Sequence, residues 1–333
     1  MIDDLLDFFD GNISVGQPWG VKDLDQHYPF KKNYSIHCGI PGSGKTDILL
    51  SMHFSQAVRN DKKCIAFLDE GSKRMHYLRL IGQWYGKRLF TIYPFREKAE
   101  WHVSRDEIIK GYEIVSNYIK IIDNENETLL KNKTISAVLN IMQSMIDREV
   151  PGTYQSVLID PKNAFSADSS KGTNGWYEYD KVIFAEMREF QAKNEIKFDL
   201  VVHPTKKAFD NKHLAKDNEK VMGVSVVGYT KPIFLVDAEN GPVVDARADD
   251  SMTFHRYKNL ADIAQYTFAH VRKIKEEETG GKPTDEAQPI VIYKDSRTWR
   301  WMFNNMDLLG SVKASIKGEE VQAAQNSDDS LPF

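Results

Sequence analysis

The run GIPGSGKT, Gly39 to Thr46, follows an apolar strand pattern, YSIHC, and precedes a helical one, DILLSMHFSQAV, with no residue intervening on either side. This is a Walker A pattern in the strand, loop and helix setting that the motif requires. Few features restrict a fold more. The chain must place a buried strand, a phosphate-wrapping turn and a helix N-terminus in succession, which is how a crossover unit of a mainly parallel sheet begins. Gly39, Pro41, Gly42, Ser43 and Gly44 shape a loop whose N–H groups turn inward on phosphates, and the helix dipole adds attraction for the anion. Lys45 is placed to reach the β- and γ-phosphates and Thr46 to hold Mg²⁺, so ATP and Mg²⁺ are the expected cofactors.

The remaining sequence continues the alternation. Short apolar runs at Tyr34–Cys38, Lys63–Leu68, Tyr118–Ile122, Ser156–Ile159 and Asp199–Val202 are separated by helical spacing at Asp47–Arg59, Lys73–Tyr85, Thr134–Arg148 and Tyr179–Lys193. The pattern predicts an α/β fold, a mainly parallel twisted sheet flanked by helices. Beyond residue 250 the strand patterns crowd together, at Met252–His255, Tyr266–Lys275, Ile290–Tyr293 and Thr298–Phe303. These predict an antiparallel extension of the same sheet. Between the two textures, Val224–Asp250 reads as a strand-rich excursion.

Charge is unevenly spread. The formal net charge of the 333 residues is -4, yet Gly318–Phe333 holds Glu319, Glu320, Asp328 and Asp329 with no base, and the first ten residues hold four aspartates with no base. The body between them carries a slight excess of base. Two cysteines, Cys38 and Cys64, make neither a disulfide framework nor a four-ligand zinc site, which fits a reducing cytoplasm. No apolar run approaches the roughly 20 residues that span a bilayer, and the acidic start MIDDLLDFFD is unlike a signal peptide. A cytoplasmic protein without a membrane partner is expected.

A nucleotide site of this kind needs a second group for the metal and a group that polarises the attacking water. SVLIDP offers Asp160 at the end of a buried strand, and FLDEGSK offers Glu70 at the end of another, with Asp69 as competitor. Strand C-termini of a parallel sheet open on one edge, so these carboxylates converge there. DLVVHP adds His203 at a further strand end, where an imidazole can sense the γ-phosphate.

Together these pieces resemble the RecA-like ATPase core of hexameric replicative helicases in the DnaB and Twinkle group, especially the phage and bacterial Twinkle-like proteins. The similar stretches are WGVKDLDQHYPFKKNYSIHCGIPGSGKT, FLDEGSKRMHYLRL, VLIDPKNAF, LVVHPTKKA and HVRKIKEEETGGKP, in the family's order and covering roughly residues 17 to 303. The resemblance implies a RecA-like P-loop NTPase core with Glu70 as catalytic base, Asp160 as the Walker B residue and His203 as sensor. It implies a ring, expected to be hexameric, in which a basic pair from the neighbouring copy reaches each ATP. Lys273 and Lys275 match that pair, with Arg272 as the alternative if the register slips. A lysine neutralises charge but lacks the two-pronged fork of arginine.

The resemblance also implies single-stranded DNA contacts in the loops after the Asp160 and His203 strands. Lys171 lies in the first, and Lys206, Lys207, Lys212, Lys216 and Lys220 in the second. Clustered lysines suit sequence-independent tracking of a phosphate backbone. The tip SDDSLPF resembles the terminal peptide of bacterial single-stranded DNA-binding proteins. It makes Asp328, Asp329, Leu331, Pro332 and Phe333 the expected contact for a replication protein: a polymerase, a primase or a single-strand-binding protein. The implied organisation is an acidic segment over 1–16 that docks on a neighbouring copy, a motor domain over 17–310 and a disordered acidic tail over 311–333, with no primase domain. The expected activity is ATP-dependent DNA unwinding, 5′ to 3′ by resemblance. A filament-forming recombinase or mediator, and a non-catalytic single-strand-binding loader, are the alternatives. The complete set of Walker A loop, Glu70 and Asp160 weighs against the last.

Overall fold

The computed structural model describes residues 2, 6, 9, 10, 16–89, 101–123, 133–166, 176–209, 214–216 and 218–317. In chain order the elements are α1 (Lys22–His27), β1 (Tyr34–Gly39), α2 (Lys45–Arg59), β2 (Lys63–Leu68), α3 (Lys73–Tyr85), α4 (Arg105–Tyr118), β3 (Ile119–Asp123), α5 (Ile135–Ile146), β4 (Tyr154–Asp160), α6 (Trp176–Asn194) and β5 (Lys197–Val202). A small hairpin, β6 (Lys220–Val221) and β7 (Val224–Ser225), precedes α7 (Gly241–Arg247) and β8 (Asp250–His255). The chain then forms β9 (Thr267–Lys273), β10 (Ile290–Lys294), β11 (Trp301–Phe303), β12 (Met306–Asp307) and α8 (Leu308–Lys317).

Among the described residues one ten-stranded sheet runs in the order β12-β11-β10-β9-β8-β1-β5-β4-β2-β3. Strands β1, β4, β5 and β8 are buried at every position. Strands covered on both faces read as continuous apolar runs rather than alternating ones. Side chains of β2 divide by parity between two layers: Cys64, Ala66 and Leu68 pack with Leu49 of α2 and Leu80 of α3, while Ile65 and Phe67 pack with Val138 of α5 and Phe184 of α6. Local chemistry sets the helix ends. Ser72 caps α3 by accepting the Met75 N–H, Gly86 closes it at φ 66°, and Ser104 and Glu107 form a reciprocal capping box on α4.

Three expectations change. Strand β8 pairs with β1 in parallel, not as part of the antiparallel extension, which begins at the β8–β9 pair. The reason is the helix α7, which returns the chain to the sheet in a crossover; Val224–Asp250 is therefore turns and a helix more than strands. The folded body also runs past residue 310. Leu308, Leu309 and Val312 of α8 are buried in the same layer as α2, each contributing on the order of 2 kcal/mol by burial, so 311–317 belongs to the folded body. The last sixteen residues lie outside the described residues. Among the described residues no helix is long and apolar enough to cross a membrane.

Candidate functional site

The Walker A loop turns on two glycines held at positive φ, Gly42 at 72° and Gly44 at 85°, a conformation open to glycine without steric cost. Strands outside the motif brace it. The Thr267 hydroxyl of β9 donates to the Ser43 carbonyl at 2.6 Å, and the Trp301 ring of β11 would lie 3.3 Å from a Cβ placed on Gly44. The exposed Lys258, just beyond β8, brings its ammonium against the space a Gly42 Cβ would fill. These neighbours come from sequence segments 200 residues and more downstream, and no local motif announces them.

Lys45 opens α2 and is buried beside the end of β4, where Asp160 is 2% exposed. Neither carboxylate oxygen of Asp160 has a hydrogen-bond partner among the described residues. Burial raises its pKa to about 6, opposed by the nearby Thr46 hydroxyl and the Lys45 ammonium and reinforced by Glu70. A buried acceptor without a protein donor is costly, and a bound cation beside Thr46 relieves that cost. The donor set of one carboxylate and one hydroxyl fits Mg²⁺, which keeps several waters and takes its remaining ligands from nucleotide phosphates. Accordingly, no cluster of three or more metal-binding side chains exists among the described residues.

Asp69 and Glu70 part company. Asp69 is tied by an ion pair to Lys133, whereas the Glu70 side chain is 61% exposed and its carboxylate stands 3.8 Å from His203 Nε2. His76 Nε2 donates to the Glu70 carbonyl at 2.8 Å, fixing the turn that aims it. Burial, followed by the Lys45 charge, lowers the His203 pKa, with Glu70 opposing; the imidazole is therefore neutral at neutral pH. Lys45, Thr46, Glu70, Asp160 and His203 thus gather at one edge of the sheet.

Lys273 and Lys275 are not brought there. Lys273 pairs in register with Ser251 near the start of β8, at the opposite edge from the Walker A loop. Its ammonium donates to the Asp245 carbonyl at 2.7 Å. Lys275 stands 3.1 Å from Asp249 with its side chain 55% exposed. It lines a groove of about 1040 Å³ with Lys31, Lys32, Arg188 and Asp250. Arg272 is held internally, hydrogen-bonded to Thr253 and the Ile233 carbonyl and stacked 3.9 Å over Phe234.

Lys206 and Lys207 are exposed on a short turn, Lys206–Phe209, just past His203; Lys216 is exposed before the β6–β7 hairpin and Lys220 at its start. Lys171, Lys212 and the tip residues Asp328, Asp329, Leu331, Pro332 and Phe333 lie outside the described residues.

No protein-family model matches the chain, and no curated protein matches it. Solved structures do. An ATPase domain matches over 90% of this chain and 95% of its own length, with a TM-score of 0.64 and 14% identity. A DnaB-like replicative helicase, described with its interactions with primase, matches over 90% of this chain and 65% of its own length, with a TM-score of 0.65 and 13% identity. The chain therefore has the fold of the ATPase domains of DnaB-like replicative helicases, a mainly parallel sheet flanked by helices.

Proposed function

We propose that this chain is an ATP-driven DNA helicase motor of the Twinkle and DnaB type, which assembles as a ring and moves along single-stranded DNA. The observation that carries the reading is the separation just described. Lys45, Thr46, Asp160, Glu70 and His203 converge on one sheet edge, while the exposed Lys275 and its neighbour Lys273 sit on the other. Lys273 and Lys275 thus face away from the nucleotide edge of their own copy, which suits them to reach the nucleotide edge of a neighbouring copy in a closed ring.

In this reading Lys45 and the loop N–H groups bind the phosphates, and Thr46 and Asp160 hold Mg²⁺, which supplies charge neutralisation at the phosphates when bound. Glu70 orients and deprotonates the attacking water, and the neutral His203 carries a hydrogen bond between Glu70 and the γ-phosphate. Lys206, Lys207 and Lys216, with Lys171 and Lys212, track the DNA backbone. The exposed apolar residues Ile2, Leu6 and Phe9 suit docking of the first segment on a neighbouring copy. The acidic tip suits exchangeable binding to a replication protein, a primase among them. The 5′ to 3′ polarity comes from the resemblance.

A fork-unwinding assay with 5′ or 3′ single-stranded overhangs, run on the wild type and Lys45→Ala, tests this. Unwinding should require ATP and a 5′ overhang and vanish in the variant. ATP-independent strand separation, or none on either fork, would remove the helicase reading in favour of a mediator or loader.

A further inference from the structure

Two consecutive residues of the turn after Asp160 hold different elements. Lys162 reaches α6: its ammonium lies 2.6 Å from Asp180 Oδ1, with side chains 8% and 0% exposed, and 5.7 Å from the Phe184 ring centroid. The other Asp180 oxygen accepts from Asn240 Nδ2 at 2.8 Å. Asn163 reaches the opposite way. Its Oδ1 accepts the main-chain N–H of His203 at 3.2 Å, and its Nδ2 donates to Glu239 Oε2 at 3.0 Å. The segment holding Glu239 and Asn240 is tied in turn to Thr205, whose N–H and hydroxyl both donate to the Asp237 carbonyl at 2.9 and 3.1 Å. One short turn thus clamps the strand end bearing Asp160, the strand end bearing His203 and the start of α6.

The two elements it holds border the two lysine-bearing segments. Helix α6 begins directly after the segment containing Lys171, and Thr205 is followed directly by Lys206 and Lys207. A buried ion pair is a weak source of stability, because removing both charges from water offsets most of their attraction. It does impose geometry: neither partner moves alone without stranding a charge in the interior, so the turn and α6 shift together.

We propose that the Lys162–Asp180 pair, with Asn163, is the positioning joint through which a bound single strand adjusts the nucleotide edge, so that ATP turnover responds to DNA. The inference rests on the motor reading above. Lys162 and Asn163 serve here as positioning residues, acting through the strand ends that bear Asp160 and His203.

The test uses the full chain and oligothymidylate. The double variant Lys162→Met/Asp180→Leu removes both charges and keeps apolar packing against Phe184, and Asn163→Ala alters the other arm at an exposed position that spares folding. ATP turnover with and without DNA, the KM for ATP and the DNA affinity by fluorescence anisotropy are measured for each, with Lys162→Arg as the conservative control. Turnover without DNA, KM and DNA affinity should stay at wild-type values while stimulation by DNA is lost in the double variant and reduced in Asn163→Ala; Lys162→Arg should retain it. Wild-type stimulation in both variants, or a loss that only follows weakened DNA binding, overturns the joint. If the double variant fails to fold, the Asn163→Ala result decides. A wild type that DNA does not stimulate at all brings down the motor reading and the joint together, whereas stimulated wild type with unaffected variants brings down the joint alone.

Discussion

Two aspartates on adjacent strands of this sheet are equally buried and oppositely provided for. Asp199, in the middle of β5, has the Lys197 ammonium and His37 Nε2 each at 3.2 Å and His53 Nε2 at 2.8 Å. Burial alone would push its pKa up, but the Lys197 charge, then His37 and the histidine hydrogen bonds, outweigh it and hold the carboxyl well below its ordinary range. Asp160, at the end of β4, has only the Thr46 hydroxyl and the Lys45 charge to oppose its burial, and burial wins. The fold surrounds the first with a lysine and two histidines and leaves the second less compensated. Asp199 joins β5 to the Walker A strand through His37 and to the Walker A helix through His53, so it is part of the scaffold. Asp160 belongs to the proposed site.

Asparagine at each position should separate the two roles. The largest effect is expected for Asp160→Asn in turnover: ATP hydrolysis should fall by two to three orders of magnitude or more, on the order of losing one preorganised charge contact in a catalytic site. Asp199→Asn should instead unfold more readily, by roughly 3–5 kcal/mol in denaturant titration at pH 7, because Lys197 is left charged and buried without its counter-ion. The pH windows also differ. The Asp199 contribution is present above pH ~4 and is lost as pH falls toward its depressed native pKa.

Asp160 works the other way. Its folded pKa is raised from 3.8 to about 6, so the nucleotide-free wild type is favoured below pH ~4 and loses stability as pH rises through about 6. Asp160→Asn should therefore be the more stable protein at pH 7 without nucleotide, by on the order of 2–3 kcal/mol, with a flattened stability profile between pH 4 and 6. A variant that loses both activity and stability would erase the contrast.

The same two residues mark where sequence reading succeeds and stops. The position of Asp160 at a strand end on the Walker A edge was legible because such an end carries its context with it: an apolar run, a carboxylate and a turn, contiguous in sequence. Glu70 was legible in the same way, although its distinction from Asp69 was not, since Lys133 lies 64 residues away. Asp199 drew no notice because its meaning depends on His37, His53 and Lys197, and only the sheet order brings those together. The Lys162–Asp180 joint, Lys258 and Trp301 were illegible for that reason too. Helix α4 was overlooked, yet its Ser104 to Glu107 capping box was a local signal. Strand β8 misled because α7 is too short for helical periodicity to declare a crossover.

In the proposed motor, a nucleotide-bound cation completes the buried Asp160 carboxylate. Proton release on binding tests this most directly. Mg²⁺ and a non-hydrolysable ATP analogue are titrated calorimetrically at pH 6 into the wild type and Asp160→Asn, in two buffers of different ionisation enthalpy. With burial raising its pKa to about 6, Asp160 is partly protonated there, so the wild type should release more protons per site than the variant and bind more tightly. Equal proton release and equal affinity in the two proteins would contradict a cation-holding role for Asp160.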